Sequence, residues 1–345
     1  MNEPQGMIKT QVLVGVLIAV AAVVGLVAVV LVDTTGEQGS GLSRAYDLDV
    51  ERLARFDPNL ILYEEARPPL ATGFECSRAI AVDASGRLYL AGDKVIQVLD
   101  RVGVVERLIT PLGEPYCLAV TPEGTLYVGL NDHVEVFDAA GQSVSSWESL
   151  GEKAVLTSIA VSGNDVFLAD AGNEIVWHYA AMGKLIGRIG EKDPDRNVPG
   201  LIVPSAYFDV AVGPDGLLRV ANPGRTRIEL YTFGGDLELA WGQGGLTIED
   251  FCGCCNPANF AMFADGSHVT AEKGIVRVKV YHPDGSFKGV VAGPDQLVKG
   301  GATRVFESVE DAKRGGFDVA VDAEGQVYVL DTIENVVRVF ESKGV

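Results

Sequence analysis

An all-β fold, a six-bladed β-propeller, is predicted for residues 59–345, and three observations predict it. A strand ending in an aromatic or leucine, followed by a turn closed with glycine, recurs six times: Val98–Gly103, Val136–Gly141, His178–Gly183, Leu230–Gly235, Val280–Gly285 and Val339–Gly344. A second motif, apolar strand, glycine-containing turn, apolar strand, runs in phase with it from Ala79, Cys117, Ser158, Asp209, Asn259 and Asp318. Beyond residue 60 apolar residues alternate with a period of two between Gly, Asp and Asn turns, and helical periodicity is absent. A four-stranded unit of about forty residues cannot bury its faces alone, and six of them close into a ring.

In chain order, residues 1–10 read as a cytoplasmic N-terminus. Gln11 through Val32 reads QVLVGVLIAVAAVVGLVAVVLV, with no polar side chain between Gln11 and Asp33. That is about the ~20 residues needed to cross hydrocarbon as a helix. It exceeds the ~7–15 apolar residues of a secretory signal peptide, and Val29–Asp33 offers no small-x-small cleavage site. The segment 11–32 is therefore expected to be an uncleaved transmembrane signal anchor. Lys9 before it, with Asp33 and Glu37 after it, places the N-terminus inside and the rest on the extracytoplasmic, periplasmic side. Residues 33–58 form a linker: Thr34–Gly41 is a Gly/Ser/Thr-rich tether, and residues 43–57 suit a short amphipathic turn or helix. At the far end the sixth blade stops at its third strand, Val337–Phe340. Leu60–Glu64, an extended apolar segment without a blade of its own, is expected to supply the missing outer strand and so remove an open sheet edge.

Charge narrows the function classes. With 28 basic residues against 47 acidic ones, the net charge is −19, which repels phosphate backbones and excludes nucleic-acid binding by bulk electrostatics. The acidic residues are spread along the chain, as on a solvated surface. Gly242–Gly245 does not lie between a strand and a helix, so it is no nucleotide loop, and neither a Gly-x-Ser-x-Gly nor a zinc-protease motif occurs. His133, His178, His268 and His282 show no ligand-like spacing.

The chemistry-bearing stretch is Phe251-Cys252-Gly253-Cys254-Cys255-Asn256-Pro257, which gathers three of the five cysteines into four positions. It falls in the loop from blade 4 into the first strand of blade 5, while Cys76 falls at the mouth of the first strand of blade 1. Around a closed ring only blade 6 separates them. An extended loop reaches ~3.3–3.6 Å per residue, so the four sulfurs could meet. Three readings follow. One is a disulfide from Cys76 to a loop cysteine, in keeping with an oxidising compartment. Another is a metal or iron–sulfur centre on Cys76, Cys252, Cys254 and Cys255, since thiolates select zinc, copper(I) or iron–sulfur clusters. The third is a redox-active dithiol from the C-x-x-C spacing of Cys252 and Cys255. Cys117 reads as a buried small residue.

Aligning the first strands puts Ala79, Cys117, Ser158, Asp209, Asn259 and Asp318 at one level of the central channel. Buried carboxylates at Asp209 and Asp318 need a partner or a cation. With Asn259 they form a candidate site for calcium or a polar ligand, or else they are satisfied by backbone N–H groups and water. Asp170, Asn222, Glu272 and Asp331 align at the ends of second strands, where they serve as loop caps; some could line a binding surface with Arg225 and Lys273.

The loops after the second strands, Ala169-Asp170-Ala171-Gly172-Asn173 and Ala221-Asn222-Pro223-Gly224-Arg225-Thr226-Arg227-Ile228, resemble NHL repeats over roughly residues 75–345. Phe251–Pro257 followed by Glu272-Lys273-Gly274 and Arg277–Tyr281 is similar to a group of bacterial membrane-anchored NHL-repeat proteins. The resemblance implies a propeller used by binding modules, scaffolds and a few enzymes. The leading expectation is a membrane-anchored extracytoplasmic propeller whose cysteine face binds a metal or iron–sulfur centre and docks to a membrane redox or assembly partner. The alternatives are a disulfide-stapled scaffold for a protein or other ligand, and a cation-dependent lyase or hydrolase at Asp209 and Asp318. NHL-like and related propeller enzymes typically add a convergent histidine cluster, which this sequence lacks.

Overall fold

The computed structural model describes residues 49–298 and 316–344. The expected membrane anchor and the tether after it lie outside these residues. Among the described residues no helix is long and apolar enough to cross a membrane.

Six antiparallel sheets follow one another along the chain. Blade 1 comprises Ser77–Val82, Leu88–Gly92, Val95–Leu99 and Val105–Ile109, and blade 2 comprises Cys117–Val120, Leu126–Gly129, Val134–Phe137 and Ser143–Ser146. Blade 3 is Leu156–Ser162, Asp165–Asp170, Ile175–Ala180 and Leu185–Ile189; blade 4 is Val210–Val212, Leu218–Asn222, Arg227–Tyr231 and Leu237–Trp241. Blade 5 is Asn259–Met262, His268–Ala271, Val278–Tyr281 and Phe287–Ala292, and blade 6 begins with Phe317–Val321, Val327–Asp331 and Val336–Ser342.

The repeated turns explain themselves chemically. Asp100 Oδ1 accepts from the backbone N–H groups of Val102 and Val104, and Asp138 Oδ1 does the same for Ala140 and Gln142. The closing glycine then takes a positive φ, +94° at Gly103, that a side chain would resist. Each such turn reverses the chain and sets the register of the next strand.

The blade faces bury apolar side chains against their neighbours. Eleven buried apolar residues, Ile96, Leu126 and Val128 among them, fill the junction of blades 1 and 2. The junction of blades 4 and 5 has only Ala221, Ile228, Leu230 and Phe260. There blade 5 turns a polar face inward: His268, Thr270 and Glu272 alternate along one strand, and Arg277, Lys279 and Tyr281 along the next, all buried. Val269, Ala271, Val278 and Val280, on the opposite face, join the apolar core with blade 6.

The ring closes between the two ends of the chain. Tyr63–Glu65 pairs antiparallel with Ser342–Phe340, and Leu70–Ala71 pairs with Val337 and Val336 of the same strand. The closing strand is thus real but lies later than Leu60–Glu64. Asp57 caps Asn59 N at 2.9 Å and starts a helical turn over Pro58–Leu60, while Leu62 N donates to Val290 O of blade 5 at 2.9 Å. The third strand of blade 6 is correspondingly longer, Val336–Ser342. Helix is not wholly absent: Val50–Ala54 forms one within the stretch expected to do so, and Pro294–Leu297 makes a single turn that alternation did not foretell.

Tyr63 sits 7% exposed in the blade 5–6 core, whereas Glu64 points to solvent. Tyr63→Ala should therefore cost about 3 kcal/mol in urea unfolding. Glu64→Ala should stay within about 0.5 kcal/mol, so equal losses from both would contradict this closure.

Candidate binding face and cysteine loop

A central cavity of about 770 Å3 runs along the inner strands. At its upper end, where loops enter the inner strands, it is lined by Arg78, Tyr116 and Tyr207; at the lower end by Val82, Val120 and Met262. The six residues aligned from the sequence form its middle belt, and most fasten one blade to the next. Val210 N donates to Ser158 Oγ at 3.3 Å, joining blade 3 to blade 4. Asp209 Oδ2 accepts from Phe260 N at 2.7 Å, Asn259 Nδ2 donates to Phe317 O at 2.9 Å, and Asp318 Oδ2 accepts from Ile80 N at 2.8 Å. Blades 4, 5, 6 and 1 are linked in turn. The other carboxylate oxygens accept from their own strands, at Val210 N and Val319 N. Cys117 holds the same level in blade 2 as a buried small residue, 3% exposed.

Burial pushes the Asp209 carboxyl up to about 6. Burial, with the nearby Asp209 charge added, pushes Asp318 up to about 7. The folded protein thus binds these protons more tightly than the unfolded chain.

The cysteine loop hangs on the polar face of blade 5. Glu272 Oε1 accepts from Cys252 N at 2.9 Å, while Glu272 Oε2 pairs with Arg277 Nε at 2.6 Å and with Lys279 Nζ at 3.4 Å. None of these three side chains is more than 1% exposed. Their remaining donors reach back into the segment that delivers the loop. Lys279 Nζ donates to Asp250 O at 2.8 Å and to Ile248 O at 3.2 Å, and the Tyr281 hydroxyl donates to Glu249 O at 2.9 Å. Above them Asn256, fully buried, donates to Cys252 O at 2.6 Å and to Lys273 O at 3.1 Å, and accepts from Lys273 N at 2.9 Å. Gly253, at φ +83°, lets the chain reverse between these anchors. Hydrogen bonds from buried side chains thus hold the loop backbone at Asp250 and Cys252.

All five cysteines are free thiols. Cys252 is 7% exposed, packed with Ala54, Ile275, Val50 and Leu53. Cys255, 4% exposed, packs with Tyr207 and Ala258, and Cys254 faces solvent. Cys76 is partly exposed near Arg78 and Tyr116, with its backbone N donating to Asp93 Oδ1 at 2.9 Å. The structure brings Cys252, Cys254 and Cys255 into one loop and seats Cys76 in blade 1. Among the described residues no group of three or more His, Cys, Asp or Glu side chains is placed to hold a metal ion.

The second-strand residues act as loop caps. Asp170 Oδ1 accepts from Val155 N, Asn222 Oδ1 accepts from Ile202 N, and Asp331 Oδ1 accepts from Ile333 N and Glu334 N. Asn222 also donates to the buried Glu229 at 3.0 Å, and Arg225 Nη2 lies 3.5 Å from Pro199 O. Lys273 lies over the Tyr207 ring, 4.1 Å from its centroid, at the rim of the cavity. The sequence reading missed Asn256 and Lys279 as the frame of the loop. For Lys279 a signal was present: Arg277 and Lys279 stand two apart in a middle strand covered on both faces, where buried charges require an internal partner.

No protein-family model matches the chain, and no curated protein does. Solved structures do match. A streptogramin B lyase is 12% identical, with a TM-score of 0.55 over 80% of this chain and 97% of that one. A catalytically inactive virginiamycin B lyase from Staphylococcus aureus with quinupristin is 10% identical, with a TM-score of 0.53 over 77% of this chain and 80% of that one. The fold is a six-bladed β-propeller. At these identities the likeness speaks for the propeller architecture alone.

Two outcomes test this site. Because Asp209 and Asp318 have folded-state values above the ordinary ~3.9 of an unfolded aspartate, stability is greatest where both are protonated. The propeller should lose melting temperature as pH rises from about 4 to about 7, and Asp318→Asn should flatten that slope. An unchanged slope in the variant would remove Asp318 from the account. Glu272→Gln leaves Arg277 and Lys279 buried without a counter-charge, and should cost about 3–5 kcal/mol in denaturant unfolding.

Proposed function

We propose that the protein is a membrane-anchored, extracytoplasmic propeller of NHL type that binds a protein partner with its upper face, the cysteine loop lying within the contact. The apolar segment 11–32 supports the anchor, and the loop motifs at Ala169–Asn173 and Ala221–Ile228 support the NHL relation. The observation that carries the reading is the buried frame of Glu272, Arg277, Lys279 and Asn256, which fixes an exposed loop bearing Cys254. A preorganised surface loop loses little entropy on binding, which is the use of such a frame. Leu112, Ile202 and Leu246 on neighbouring upper loops are exposed and add apolar contact area to the same face.

Binding is favoured over catalysis by the cavity chemistry. The neighbours are lyases by name, yet none of this chain's four histidines lines the central cavity. His133 pairs with Asp132, His178 pairs with Asp165 at 2.6 Å, and His268 is buried against Trp241. A calcium ion in the channel would compete with the backbone donors already held by Asp209 and Asp318. A second reading keeps the thiols as a zinc, copper or iron–sulfur centre, favoured by three cysteines within four residues. It requires Cys252 and Cys255 to turn out of their separate apolar clusters.

Full-length protein in its native membrane, carrying a thiol-linked photo-crosslinker on Cys254, should give a discrete protein adduct. The same label at Ser145→Cys on the outer strand of blade 2, in a Cys254→Ser background, should give none. Equal adducts at both positions, or none at Cys254, would overturn the reading.

A further inference from the structure

Cys252 is hidden in an unusual way. Its cover is not a blade core but the helix Val50–Ala54, five residues long, in a cluster whose only fully buried members are Ala54, Cys252 and Ile275. A helix this short has no stability of its own and persists through its tertiary contacts. Val50 and Leu53 on it are only partly buried. Beneath it the cysteine backbone is held without the helix's help: Cys252 N is bound by Glu272, and Cys252 O by Asn256. Two residues further on, Cys254 stands exposed.

We propose that the helix Val50–Ala54 is a removable cover, and that its release turns a loop showing one thiol into a loop showing two, Cys252 and Cys254, without unfolding it. The site so uncovered suits thiol-directed ligands that need two sulfurs, a soft cation being the simplest. The inference stands whatever the upper face binds. Release leaves the ring closed, because the following chain is separately fastened by the Leu62 N to Val290 O bond and by Tyr63–Glu65.

The test is alkylation of the full-length native protein with iodoacetamide, read at each cysteine by mass spectrometry over time. In the wild type Cys254 should react at least about tenfold faster than Cys252, as local burial slows attack. Leu53→Asp should raise the Cys252 rate about tenfold and leave Cys255 and Cys117 unchanged, while Leu53→Met keeps the wild-type pattern. With Leu53→Asp, addition of zinc should slow alkylation of Cys252 and Cys254 together. The proposal is overturned if Cys252 in the wild type reacts as fast as Cys254, or if Leu53→Asp leaves its rate unchanged. It also fails if Cys255 and Cys117 accelerate with it, which would mean the loop itself had come apart, or if zinc protects neither thiol.

Discussion

The buried contact of Glu272 with Arg277 and Lys279 is the constraint on which the upper face depends. Three ionisable side chains, none more than 1% exposed, replace most of the apolar packing found at other blade junctions. Such groups are expensive to bury, and apolar replacements of similar size are often as stable or more so. Their arrangement points to position rather than stability. Arg277, Lys279 and Tyr281 each donate to the backbone of Thr247–Asp250, and the carboxylate itself holds Cys252. An apolar blade face would pack equally well and leave that loop unguided. Burial pulls the Lys279 ammonium down to about 8, outweighing the pairing with Glu272 that favours the charged form.

A different logic governs the channel. Its belt residues resemble a ligand site when aligned from the sequence, since carboxylates, an amide and a hydroxyl share one level. In the folded ring each reaches sideways to the next inner strand rather than inward to a common point. A propeller has no covalent bond between blades other than the connecting loops, so polar links between inner strands hold the ring where apolar faces are narrowest. Asp318 serves the junction between the last blade and the first, where the closing strands Tyr63–Glu65 and Leu70–Ala71 lead on into Ser77–Val82.

Much of this was legible from residues alone, for a local reason. Aspartate-to-glycine turns are read from four or five consecutive residues, and the turns determine where strands begin, so six blades and their order followed. The closing strand was legible as a need, but its boundary was not. Asp57 and Pro58 start a helical turn that carries Leu60 out of the extended chain. The cysteine loop illustrates the harder case. Spacing placed Cys252, Cys254 and Cys255 together, but which way each thiol turns is decided by Ala54 and Tyr207, both about fifty or more residues earlier in the chain. Contacts of that range leave no local signature. The polar alternation of Arg277, Lys279 and Tyr281 did leave one, and its meaning depended on recognising that a middle strand has no solvent face.

The N-terminal segment joins these two systems. Between Val50 and Ala71 the chain covers Cys252 at the upper face, crosses the outer strand of blade 5 and completes blade 6. These contacts differ greatly in strength. The closing strands share a ladder with Val336–Ser342, place Tyr63 in a large core and pair Glu65 with Arg338 at 3.1 Å. The helix packs in a small apolar cluster of Ala54, Cys252 and Ile275 flanked by Val50 and Leu53. Whatever acts on the chain before Val50 therefore meets the weakest contact first. It would uncover the cysteine loop well before it could open the ring, which gives the order of these contacts along the chain a mechanical meaning.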